Sequence, residues 1–123
     1  MRKLILLILA SALLCSAAQA ETLVVWFSCT GNTEALLANG PVTLPASGYG
    51  GFEKVCPLGA RLASHDEYTV TKPGDVMLFA GSSIVLFHGS NSWEYTRLGW
   101  MEETQSLRDI LSGNENEITL SLE

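Results

Sequence analysis

The apolar residues between positions 73 and 99 form two short runs and then an alternating segment. Residues 76–80 and 84–87 are continuously apolar, a pattern typical of strands that are covered on both faces. From residue 93 onward, successive side chains alternate between two faces of a third strand. The pattern predicts two strands in the middle of a sheet, with Phe79 and Phe87 in the core.

Short turns separate these strands. Pro73 and Gly74 suit the two central positions of a turn, because proline fixes φ and glycine accepts a positive φ. Glycine- and serine-rich segments at 81–83 and 89–92 predict hairpins, and hence an antiparallel up-and-down order.

The flanking sequence predicts further short elements around this segment. Strands are predicted at 22–27, 42–44, 52–55, 58–62, 68–71 and 118–122, helices at 34–38 and 104–111, and a glycine-rich loop at 45–51. These elements indicate one mainly β domain with one or two short helices.

Three segments resemble the bacterial cyclophilin-like fold proteins: GYGGFEKV at 48–55, PGDVMLFAGSSIVLF at 73–87 and GSNSWEYTRLG at 89–99. The resemblance implies a small, closed or nearly closed β-barrel with a capping helix. It implies no settled activity, so catalytic residues stay unassigned.

The first twenty residues have the pattern of an export signal. Arg2 and Lys3 precede an apolar stretch at 4–14, and Ala18 and Ala20 form an A-x-A cleavage site. We expect a periplasmic or extracellular domain at 21–123 without stable membrane association. Cys15 is a weak lipidation candidate, because the residue before it is a leucine rather than a small residue.

Charge excludes one class of partner. Removal of the signal leaves five basic side chains against thirteen acidic ones, a net charge of −8. Such a surface repels phosphate backbones, so we expect no nucleic-acid partner. In an oxidising compartment Cys29 and Cys56 either form a disulfide or remain as two buried thiols, and their spacing does not decide between these alternatives.

The segment LVVWFSCTGNTEALL at 23–37 resembles the first strand, phosphate loop and helix start of a flavodoxin. The resemblance implies that the phosphate of flavin mononucleotide (FMN) would bind at the following residues: Ser28, Thr30, Gly31, Asn32 and Thr33. The antiparallel hairpins that follow do not fit a doubly wound fold. We therefore expect no cofactor, with an FMN-binding electron carrier as the alternative.

Aromatic residues mark a candidate ligand face. Trp93 and Tyr95 share one face of a predicted strand with Arg97, while Tyr49 and Phe52 flank the glycine-rich loop. Aromatic rings beside a guanidinium offer stacking and one charge, and glycines let a ligand approach the backbone. These five residues predict a site for a small ligand or a protein partner, so a non-catalytic binding module is the preferred function.

Two other motifs are weaker candidates for a functional site. Phe87 and His88 resemble part of the Phe-His-Arg motif of cyclophilins, but Gly89 stands where the arginine would be. Prolyl isomerase activity is therefore the third candidate function. The segment His65-Asp66-Glu67 is expected to be a solvated loop, and no metal site is predicted.

Overall fold

The computed structural model describes residues 22–27 and 40–122, and within them the chain is mainly β with one helix. The strands are β1 (Thr22–Phe27), β2 (Val42–Pro45), β3 (Ser47–Tyr49), β4 (Glu53–Pro57), β5 (Glu67–Val70), β6 (Asp75–Phe79), β7 (Ser83–Phe87), β8 (Ser92–Trp100) and β9 (Glu117–Leu122). The helix, α1, is Gln105–Ser112. The predicted signal, the loop and helix at 28–38 and Cys29 lie outside the described residues.

The strands form one open sheet in the order β2-β9-β1-β8-β6-β7-β4-β3, and β5 pairs with the first half of β8. All described pairings are antiparallel except β1 with β9. No hydrogen-bonded ladder joins the two ends of the described sheet, but β2 packs against β4. The mainly β class predicted from the sequence is confirmed.

The two apolar runs lie in the middle of the sheet, as predicted. β6 lies between β8 and β7, and β7 lies between β6 and β4. The side chains of these strands point alternately into two apolar clusters. Val76 and Leu78 face the main core, which α1 also covers, whereas Met77 and Phe87 face a smaller cluster on the other side.

Two turns predicted in the central segment are present, and both contain a glycine with positive φ. Gly74 has φ +94° in a turn closed by a hydrogen bond from the Asp75 amide to the Lys72 carbonyl, at 3.0 Å. The β6–β7 hairpin turns through Ala80 and Gly81, both with positive φ, as a type I′ turn requires. It therefore begins one residue earlier than the predicted 81–83.

The predicted hairpin at 89–92 is wrong. β8 does not pair with β7; it crosses to the other side of β6, where residues 96–100 pair with β6 and residues 92–95 pair with β5. β7 already has partners on both edges, so β8 finds no free edge there. β8 is nine residues long and pairs with β5 in its first half and with β6 and β1 in its second half.

The predicted loop at 45–51 is partly strand. β3 pairs with β4 through a hairpin in which Gly50 and Gly51 both have positive φ, +65° and +74°. Gly-Gly is one of the dipeptides that suit such a turn, so the glycines shape a hairpin rather than a free loop. The strand predicted at 58–62 is absent from the structure.

Helix α1 follows its sequence pattern closely. The Thr104 hydroxyl caps its start by accepting a hydrogen bond from the Leu107 amide at 3.1 Å. Leu107 and Leu111 are buried against the main core. No helix of the described residues is long and apolar enough to cross a membrane.

Candidate functional site

A cleft of about 850 Å³ lies on the side of the sheet that carries the smaller apolar cluster. Its lining residues come from β3, β4, the end of β6, β8 and the turns beside them: Tyr49, Gly50, Phe52, Glu53, Val55, Phe79, Asn91, Trp93 and Tyr95. Four of the five predicted ligand residues line this cleft, namely Tyr49, Phe52, Trp93 and Tyr95.

Aromatic rings form most of the cleft wall. Tyr49 packs edge-on against Phe52 with ring centroids 5.9 Å apart, and Tyr95 lies 6.2 Å from Phe79. Tyr49 is 64% exposed and Trp93 is 54% exposed, whereas Tyr95 is buried at the base. Large exposed rings around a concave surface are unusual on a protein without a partner or ligand.

Two glycines make room for Phe52. A Cβ at Gly50 would lie 2.1 Å from the ring, and a Cβ at Gly89 would lie 2.8 Å from the Phe52 Cβ. The amides of His88 and Gly89 also donate to the Phe52 carbonyl, at 2.9 and 3.0 Å. His88 thus follows the end of β7, as predicted, and it does not line the cleft.

The fifth predicted residue, Arg97, does not line the cleft. Its guanidinium lies 3.3 Å from the carboxylate of Asp75, which is buried and also accepts hydrogen bonds from Lys72. The structure thus separates Arg97 from the other four predicted ligand residues in the lining of this cleft, and the buried Asp75 carboxylate binds its guanidinium. Asp75 was missed because its position after Pro73-Gly74 looked like an ordinary turn position.

The floor of the cleft contains a buried acid, Glu53, which is 6% exposed. Its Oε1 atom has no hydrogen-bond partner and is the one such buried side-chain atom among the described residues. Burial raises the pKa of Glu53 to about 7, and a hydrogen bond with the Tyr95 hydroxyl opposes this rise. The Tyr95 hydroxyl in turn accepts a hydrogen bond from Asn91 Nδ2 at 2.9 Å.

Sequence reasoning missed Glu53, although the sequence contained a signal. Glu53 and Lys54 are adjacent in a strand, so their side chains must point to opposite faces. The neighbouring apolar runs indicated that both faces of the sheet are covered. The carboxylate of Glu53 is therefore buried on one face and the ammonium group of Lys54 on the other. Lys54 Nζ indeed reaches the carbonyls of Gly113 and Glu115 on the opposite face, at 2.9 and 3.0 Å.

The other predictions concern Cys56, the segment 65–67 and the FMN-phosphate candidates. Cys56 is a free cysteine in the structure, and its side chain is fully buried. Burial raises the pKa of its thiol to about 12. His65, Asp66 and Glu67 are exposed, and no cluster of described His, Cys, Asp or Glu side chains suits a metal ion. The five FMN-phosphate candidates, which begin at Ser28, lie outside the described residues.

A second, smaller groove of about 480 Å³ lies between β1 and α1. Trp26 at its edge stacks on Trp100, with ring centroids 4.5 Å apart. No described buried polar atom without a partner lies in this groove. The aromatic cleft is therefore the better candidate site, since it combines exposed rings with an unpaired buried carboxylate oxygen.

Comparison with known proteins agrees with this architecture. The model of the cyclophilin-like family matches residues 17–123. Searches of curated proteins and of solved structures found no match. Since the family match covers nearly the whole chain, the chain belongs to the cyclophilin-like family.

Proposed function

We propose that this protein is an exported, non-catalytic binding module that holds an apolar or aromatic group in the cleft between β3–β4 and β8. The observation that carries the proposal is the wall of exposed and half-buried rings around one concave surface, with Tyr49 and Trp93 at its rim. A cleft of this volume, with apolar walls and few polar groups, has the character of a small-ligand site.

The lining supports binding better than catalysis. Glu53 and Tyr95 interact with each other, Tyr49 carries the other hydroxyl group, and the described lining contains no cysteine, serine, histidine or arginine. A prolyl isomerase of the cyclophilin type needs a cation beside the proline. The guanidinium of Arg97, the nearest candidate from the sequence, lies instead at Asp75.

Export and the absence of a cofactor remain parts of the proposal. Residues 1–20 have the pattern of a signal peptide, and the acidic net charge opposes a dianionic flavin phosphate. FMN binding through the 28–33 segment is the alternative, and purified protein that carries bound flavin would favour it.

Tryptophan fluorescence tests the binding proposal. Trp93 is a cleft residue, whereas Trp26 and Trp100 stack on each other elsewhere. In a screen of small aromatic and aliphatic ligands, we expect a saturable fluorescence change that disappears in Trp93→Phe and persists in Trp100→Phe. No response to any ligand, or a response lost in Trp100→Phe alone, would contradict the assignment of the cleft. A proline-peptide isomerisation assay beside the screen is expected to show no catalysis.

A further inference from the structure

The Glu53 carboxyl group is the chemical feature that best limits what the cleft can bind. Its Oε1 atom is buried at the floor of the cleft without a donor. A buried acceptor without a partner has lost its hydrogen bonds to water without replacement, so a ligand that supplies a donor regains this loss on binding. The ligand should therefore carry an N–H or O–H group at the end that enters first.

Among the described residues, none of the cleft lining supplies a cation to this carboxyl group. Lys54 is adjacent in sequence, but its ammonium group lies on the opposite face of the sheet, at the carbonyls after α1. Lys72 and Arg97 are bound to Asp75. The titratable groups that face Glu53 are the hydroxyl of Tyr95 on β8 and that of Tyr49, which lies opposite Glu53 on β3. An anionic Glu53 thus lacks a charge partner within the described cleft.

The walls also favour a positive charge. Aromatic faces attract cations through their quadrupole, and the attraction increases when the cation is desolvated. Tyr49, Phe52, Trp93 and Tyr95 surround the space above Glu53. A negatively charged ligand would meet the carboxylate, the ring faces and a chain whose formal net charge is −6.

We propose that the cleft recognises a protonated amine on an apolar stem, which donates an N–H hydrogen bond to Glu53 Oε1 while the aromatic rings surround the ammonium group. The inference rests on the proposed binding function and specifies its ligand class. Two sources supply this chemistry, a free arylalkyl or alkyl amine and the lysine side chain of a protein. A quaternary ammonium has the charge but no N–H, and an alcohol has a donor but no charge.

The raised pKa of Glu53 agrees with this assignment. A carboxyl group with a pKa of about 7 is partly protonated in the empty cleft at neutral pH. An ammonium group beside it favours the ionised form, so binding an amine should release protons. Binding of a neutral alcohol gives no such charge effect.

Calorimetric titration of the mature protein at pH 8 tests the inference with four probes: 2-phenylethylammonium, its N,N,N-trimethyl derivative, 2-phenylethanol and a short blocked peptide that contains one lysine. We expect at least one N–H ammonium probe to bind at least tenfold more tightly than the alcohol and the trimethyl compound, because charge-assisted hydrogen bonds contribute about 1.5 to 3 kcal/mol. Preference for the peptide over the free amine would identify a protein lysine as the source, and the reverse preference a small amine.

Variants then locate the interaction. Glu53→Gln keeps the shape of the side chain and should reduce ammonium affinity at least tenfold, while affinity for 2-phenylethanol stays within about twofold. Glu94→Gln removes an equal charge from an exposed position of β8 outside the cleft and should change neither.

The outcomes distinguish the two proposals. Equal binding of amine and alcohol, or ammonium affinity that Glu53→Gln leaves unchanged, would overturn the amine assignment but keep the binding module. If none of the four probes binds and the wider fluorescence screen is also negative, both proposals fail. The comparison among probes on the wild-type protein needs no variant, so a folding defect would not obscure it.

Discussion

Replacing Glu53 by glutamine should stabilise this protein at alkaline pH. Glu53 is 6% exposed, and its pKa rises to about 7 from an ordinary value of 4.5 because burial disfavours the ionised form. The folded state therefore binds this proton more tightly than the unfolded state. The stabilising contribution of the neutral form is complete below pH 4.5 and is lost as the pH rises through about 7.

The magnitude follows from the size of the pKa change. A rise from 4.5 to about 7 corresponds to at most about 3 kcal/mol. The cleft is open to water, which screens the charge. We therefore expect ionised Glu53 to lower the free energy of unfolding of the wild-type protein by about 1 to 2 kcal/mol above pH 8. Glutamine has nearly the same shape and no titrating proton, and its amide can still contact the Tyr95 hydroxyl.

Urea unfolding of wild type and Glu53→Gln at pH 5 and pH 8.5 measures the effect. Other titrating groups are common to both proteins, so their effects cancel when the two free energies of unfolding are subtracted. From pH 5 to pH 8.5, the unfolding free energy of the variant should rise by about 1 to 2 kcal/mol relative to that of the wild type. Glu94→Gln, at an exposed position, should show no such pH-dependent gain. A difference between wild type and Glu53→Gln that is independent of pH would refute the claim that Glu53 is buried with a raised pKa.

Three further predictions concern the core, the cleft and export. Phe87→Ala should lower the free energy of unfolding by about 3 to 5 kcal/mol in denaturant melts, because Phe87 is fully buried. Phe79 is 40% exposed at the cleft, so Phe79→Ala should lower it by about 1 kcal/mol or less, and equal losses would contradict the two assignments. Gly50→Ala should weaken ligand binding, because the added Cβ would overlap the Phe52 ring. Gly51→Ala is the control, since it introduces similar backbone strain but its Cβ would meet open space; equal effects of the two variants on binding would contradict a role of Phe52 in the site. Intact-mass measurement of exported protein should show cleavage after Ala20, and a lipid-modified Cys15 at the mature N-terminus would contradict it.

Local pattern was enough to predict most elements of this fold. The strand at Thr22–Phe27 was predicted with its observed bounds, and α1 lies within one residue of its predicted range. The alternation of apolar and polar residues at 118–122 correctly indicated a closing strand, in which Ile118 and Leu120 are buried. These successes depend on periodicity, which reports which face of an element is covered.

Pairing partners were harder to predict, because they depend on which strand edges are still free. The prediction placed β8 beside β7 on the basis of the short connection at 89–92. In the structure β4 occupies that edge of β7, and β4 comes from an earlier part of the chain. The exposure of Phe79 was equally hard to predict from the sequence. Phe79 continues an apolar run, yet it lies beyond the covered part of the sheet and lines the cleft.

The aromatic part of the site was predictable and its charge was not. Tyr49, Phe52, Trp93 and Tyr95 were identified from residue type and from nearby glycines, and the fold brings them together. The charged group that lines this cleft is the carboxyl of Glu53, whereas Arg97 is bound by Asp75. The sequence left the ligand class open, and the carboxyl group in the cleft is the basis for proposing an amine.

The two charges of β4 show why Glu53 is better explained by ligand binding than by stability. Lys54 is buried as deeply, at 3% exposed, and its ammonium group donates to two carbonyls after the end of α1, where a positive charge is favourable. One residue earlier, Glu53 has an oxygen without a partner. The fold thus provides partners for a buried charge on one face of this strand and leaves an acceptor unpaired on the other. Buried polar groups in native proteins are nearly always satisfied, and an exception calls for an explanation such as a functional site. An amine that enters the cleft would give Glu53 the kind of hydrogen bond that Lys54 already has.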